Sequence, residues 1–171
     1  FQDADPKALG RLLRRHGLKA ILWPKGDDPA AWPRDPDFWG YALRDEPNAR
    51  DFPDLRRRAD ALRAAHPGKI AYVNLFPNYA SPAQLGSPTY DQHVADFVRT
   101  FAPEVLCMDH YPIFRPDGDG RDRYCENLET MRVHSLRAGI PFWNFFNTMP
   151  YGPHTDPTES QLRWQVFASL C

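Results

Sequence analysis

Five short apolar runs, each followed closely by proline, alternate along the chain with stretches of helical spacing. The runs are LKAILWP, FWGYALRDEP, IAYVNLFPN, VLCMDHYP and IPFWNFFNTMP. They are continuous rather than alternating, so each predicts a strand buried on both faces, as parallel strands are. The intervening stretches carry their own signals. DPKALGRLLRRHG opens on an Asp cap with proline at the first helical position and closes on Gly17. Val94, Phe97, Val98 and Phe101 recur at helical intervals, and Thr158 with Gln161 has the spacing of a capping box. Strands separated by helices, at on the order of 30 residues per unit, predict an α/β fold built from βαβ crossovers.

Two architectures satisfy this pattern. One is an open, doubly wound sheet. The other is a partial (β/α)8 barrel, because a whole one needs roughly 200–250 residues and the chain has 171. No glycine-rich turn follows the first run, where a dinucleotide or phosphate binder would place one. The chain starts and stops on helices, which predicts a single barrel domain over 1–171 that is a piece of a larger one.

Composition excludes several classes. A formal charge of −1 offers nothing to a nucleic acid or an anionic membrane. No apolar run approaches the ~20 residues of a membrane helix. Cys107, Cys125 and Cys171 share no motif spacing and predict no disulfide framework. The six histidines lack ligand spacing, so neither a metal nor a cofactor is expected.

The residues at the C-terminal ends of the runs are the chemically telling ones, since α/β proteins bind ligands there. They are Trp23, Asp45 with Glu46, Asn74 with Tyr79, Asp109 with His110 and Tyr111, and Trp143 with Asn144 and Asn147. Carboxylates and carboxamides hydrogen-bond paired hydroxyls, and flat aromatic rings pack on sugar C–H faces. The set therefore predicts a carbohydrate ligand. Glu46 is the candidate general acid, its acidity weakened by apolar neighbours Trp39 and Tyr41. Asp109 is either the base that activates water or an anchor for a sugar hydroxyl. Asp45 either shapes the turn at Pro47 or joins the site. Glu126 could reach the site from its helix, and Glu129 belongs to the helix surface.

In this order, GYALRDEP, IAYVNLFPNYA, VLCMDHYPIF and GIPFWNFFNT resemble the barrels of clan-A glycoside hydrolases, in particular bacterial β-galactosidase-like members. The resemblance covers nearly the whole chain, as barrel strands three to seven. It implies that the first two strands and the last one are missing, and that the acid/base Glu at the end of strand four is Glu46. It further implies a β-linked sugar as substrate, polysaccharide degradation, a secreted or periplasmic location, and association with the rest of the barrel or a second copy. The chain shows no signal peptide itself. It departs from the clan at the nucleophile, where Asn147 stands in place of Glu. An amide cannot form the glycosyl ester of a retaining enzyme. A non-catalytic carbohydrate-binding barrel is the competing expectation, and an open α/β domain whose strand-end acids bind Mg²⁺ is a third.

Overall fold

Helix boundaries fall where short-range chemistry puts them. In the computed structural model, which describes residues 5–115, 118 and 120–170, α1 (Pro6–His16) is capped by Asp5, whose carboxylate accepts from the N–H groups of Lys7 and Ala8. It ends at Gly17, in the left-handed conformation with φ 63°. Next come β1 (Ala20–Leu22), β2 (Phe38–Asp45), α2 (Phe52–Ala65) and β3 (Ile70–Asn74). The chain continues through α3 (Pro82–Leu85), α4 (Tyr90–Phe101), β4 (Leu106–Asp109), α5 (Arg121–Ala138), β5 (Phe142–Phe145) and α6 (Glu159–Leu170). The capping box expected at Thr158 and Gln161 is present. The short α3 has no counterpart in the apolar pattern. It rests on its own capping box, Ser81 with Gln84.

All strand pairs are parallel and follow chain order. β1, β2 and β3 form one sheet, and β4 and β5 a second. The bridge Leu75 to Met108 joins them, with the Leu75 N–H donating to the Cys107 carbonyl at 2.9 Å. Among the described residues, the sheets do not close into a barrel.

The helices lie on one face. The main core packs Tyr41, Leu43, Val73, Leu75, Leu106 and Met108 of the strands and their ends against residues of α2, α4 and α5, including Phe52, Leu62, Phe97 and Met131. Trp164 and Ala168 of α6 pack on its margin. α1 joins through Leu9 and Leu13 against Phe38, with Leu22 touching both clusters. The opposite face holds only strand residues and Val105: Ala42, Tyr72 and Cys107, with Ile21, Ile70 and Trp143 packed on them.

That second face is concave. Trp39 of β2 and Trp143 of β5 stack with ring centroids 6.4 Å apart. Their strands are three places apart in the chain-order sequence, which in a flat sheet is about 14 Å. Curling of the sheet brings the two rings together. Trp39 and Phe145 are about half exposed on these strands. Among the described residues, no helix is long and apolar enough to cross a membrane.

Candidate functional site

β2, β3 and β4 end side by side on Asp45, Asn74 and Asp109. The register pairs Asp45 with Asn74, and the Leu75–Met108 bridge brings β4 alongside. The Asn74 carboxamide nitrogen donates to Asp45 Oδ1 and to Asp109 Oδ1, each at 3.0 Å. Asn74 is only 7% exposed, and its own Oδ1 is buried without a partner.

Glu46 is the next residue after β2, and its N–H donates to the Asn74 carbonyl at 2.8 Å. It is one of two non-glycine residues at positive φ among those described, at φ 45°. Pro47 follows, buried, and Asn48 locks the turn. Its side chain caps the 3-10 turn Ala49–Asp51 and donates to the carbonyls of Ala83 and Gln84 in α3. The strand thus hands Glu46 to a turn fixed on both sides.

Burial, then the charge on Asp109, then that on Asp45 push the Glu46 carboxyl up to about 7. Asp109 is raised too, by burial first, with the Asn74 amide and the Tyr111 hydroxyl acting the other way. The source of Glu46's burial differs from the expectation. Tyr41 lies about 16 Å back along the strand. Its hydroxyl donates to the Pro33 carbonyl and faces His66. Trp39 is turned onto Trp143. Neither flanks Glu46.

Three tyrosines face the acids. Burial, with the charges of Asp109 and Glu46, pushes the Tyr79 phenol up to about 12. Tyr151 is raised by the same causes. Tyr111 meets Tyr151 edge to face at 5.2 Å and is raised by burial and Asp109. Tyr151 belongs to the turn after β5. It was not among the sequence candidates, although an aromatic in a Met-Pro-Tyr-Gly-Pro turn beyond a strand's C-terminal end carried the signal.

The remaining candidates are placed unequally. His110 is 1% exposed. It lies under the edge of Tyr79, and its Nδ1 donates to Asn127 Oδ1 at 2.9 Å. Asn127 also accepts from the Asn78 N–H and donates to the Tyr90 hydroxyl, so its orientation is fixed. Burial lowers the His110 pKa, leaving a neutral ring that supports Tyr79. Asn144 points at the helices, donating to the Tyr124 and Ser169 hydroxyls. Asn147 is fully buried. Its Oδ1 accepts from the Ile113 N–H, and its backbone exchanges two hydrogen bonds with the Gln165 side chain. Trp23 is 45% exposed just beyond β1, and Trp143 lines the concave face rather than the strand ends. Glu126 is exposed on α5, and it is its neighbour Asn127 that turns inward. Glu129 pairs with Arg132 on the helix surface.

The structure therefore gathers Asp45, Glu46, Asn74, Asp109, Tyr79 and Tyr111, and adds Tyr151. Among the described residues, no three His, Cys, Asp or Glu side chains come together to hold a metal ion. Cys107 is buried and reduced against the Tyr72 hydroxyl, Cys125 is free and exposed, and Cys171 lies outside the described residues. No family model, no curated protein and no solved structure matches the chain. On chemistry alone, the cluster can hold one proton at neutral pH on Glu46 beside a second carboxyl group, ringed by phenols.

Proposed function

We propose that the chain is an arc of a (β/α)8 barrel that hydrolyses a glycosidic bond, with Glu46 as general acid and Asp109 as the base that activates water. The observation that carries this reading is Glu46 itself, a strand-end carboxyl held up to about 7 by burial and two neighbouring acids. The barrel part is supported by chain-order parallel strands, helices on one face only, and the curl that stacks Trp39 on Trp143. The concave face is interior in such a barrel, so further barrel strands, or a second copy, cover it.

In the reaction, Glu46 gives its proton to the leaving oxygen as the glycosidic C–O bond breaks. Asp109 takes a proton from a water whose oxygen bonds to the anomeric carbon from the opposite side. One water is consumed, and solvent returns both carboxyl groups to their starting states. Inversion follows, because Asn147 supplies no nucleophile. Tyr79 and Tyr151 offer ring faces and hydroxyls to the sugar. The motif resemblance makes a β-galactoside the first substrate to try.

The second reading is a carbohydrate-binding barrel without turnover, favoured by the burial of Asn147 against Ile113 and Gln165. Hydrolysis of methyl β-glycosides, whose leaving oxygen needs a proton, by the wild type and Glu46→Gln separates the two. The catalytic reading expects turnover, a loss of about 10²- to 10⁴-fold in the variant, and α-configured sugar as first product. Sugar binding that is equal in both proteins, without turnover in either, would establish the second.

A further inference from the structure

Asn74 touches all three acids of the site. Its carbonyl holds the Glu46 N–H at 2.8 Å, and its side-chain nitrogen lies 3.0 Å from one oxygen of Asp45 and 3.0 Å from one of Asp109. A carboxamide NH₂ has two hydrogens and no more. Both are committed to carboxyl oxygens, which accept them more strongly as carboxylates than as neutral acids. We infer that Asn74 is the positioning residue that decides which carboxyl carries the proton: its two N–H groups hold Asp45 and Asp109 as carboxylates and leave the proton to Glu46. The inference deepens the glycosidase reading, in which Glu46 has to be the acid and Asp109 the base.

The physical argument is one of competition. Three carboxyl groups this close cannot all ionise freely, so lowering the proton affinity of two raises that of the third. Hydrogen bonds to the charged form provide that preference, and Glu46 receives none from the amide. The other groups facing the cluster do not break the tie toward Asp109. Tyr79, Tyr111 and Tyr151 are phenols with raised pKa values and stay neutral, as do Tyr72 on β3 and Cys107 on β4. Burial keeps His110 neutral. Of these, Tyr111 acts with Asn74 against the rise that burial gives Asp109.

Asn74 also explains a sequence feature that ligand binding does not. Both of its N–H groups are taken and its oxygen is buried, so it has no group left to offer a sugar. A carboxamide at this strand end serves the acids on either side.

The test is site-resolved carboxyl titration by ¹³C NMR on the full chain, which needs no turnover and so is independent of whether the protein is a glycosidase. In the wild type, the Asn74 side-chain amide proton bonded to Asp109 should shift when Asp109 protonates, and should barely move as Glu46 titrates. In Asn74→Ala, Asp109 should titrate higher and Glu46 lower, reversing or merging their order. Asn74→Ser, with one donor in place of two, should give an intermediate result and serves if the alanine variant does not fold. Wild-type amide protons that move chiefly near neutral pH would place the proton on Asp109 and overturn the inference. An Asn74→Ser or Asn74→Ala protein with both titrations unchanged would overturn it equally. A confirmed proton order without glycoside turnover would leave Asn74's role standing and remove only the hydrolytic reading.

Discussion

The Glu46 N–H donates to the Asn74 carbonyl at 2.8 Å from a left-handed backbone conformation, φ 45°. For an L-residue with a side chain that conformation costs roughly 1–2 kcal/mol. A turn selected only for stability would carry glycine or asparagine here. The strain falls on the residue whose carboxyl group the proposed reaction uses as its acid.

Glu46→Gly should therefore stabilise the chain, by about 0.5–1 kcal/mol once the extra flexibility of glycine is set against the relieved strain, while removing the proposed general acid. Urea unfolding of the variant and the wild type measures this. A variant less stable than the wild type would show that the Glu46 side chain supports the fold more than the backbone strains it.

Stability should depend on pH in a way that Glu46→Gln alters. Glu46 titrates at about 7 when folded, against an ordinary value of 4.5. Between those values the native state holds a proton that the unfolded chain has released. Its contribution is complete below 4.5 and is lost as pH rises to about 7. Asp109 is raised and acts in the same direction. His93 acts oppositely: burial lowers it from 6.5, so stability falls as pH drops below that value. Denaturation at pH 4.5 and pH 8 should show Glu46→Gln losing less stability than the wild type on going to the higher pH. Equal losses would mean that Glu46 titrates normally in the folded state.

Asn147 predicts a failed rescue. Introducing with Asn147→Glu the carboxylate that the motif resemblance implies at this position should give no retaining activity, because the position is fully buried against Ile113 and Gln165 rather than open to ligand. The variant should instead lose about 3 kcal/mol or more through an unpaired buried charge. Asn147→Ala, which strands the Ile113 N–H, should lose about 1–3 kcal/mol. A stable Asn147→Glu protein with increased turnover would contradict this placement.

The unequal legibility of the site has a physical cause. Strand ends are legible because proline closes each run and acids close two of them, which puts Asp45, Glu46 and Asp109 at the C-terminal ends of strands. Orientation was not readable. In a run that is apolar on both faces, the period of two carries no inside–outside contrast, so Asn144 resembled a strand-end ligand when it faces Tyr124 and Ser169. Asn127 is legible as a polar residue on the buried stripe of Tyr124, Leu128 and Met131, whereas the charge on the neighbouring Glu126 marks a solvent-facing position. The curl of the sheet depends on pairs such as Trp39 and Trp143, more than a hundred residues apart, which no local pattern links.

The proposed hydrolysis requires Glu46 to hold a proton near neutral pH, and its carboxyl titration in the wild-type chain, assigned by comparison with Glu46→Gln, tests this most directly. A midpoint at about 7 is the predicted result. A midpoint near the ordinary 4.5 would contradict it, leaving Glu46 a surface carboxylate at a strained turn and the strand-end cluster without its proton donor.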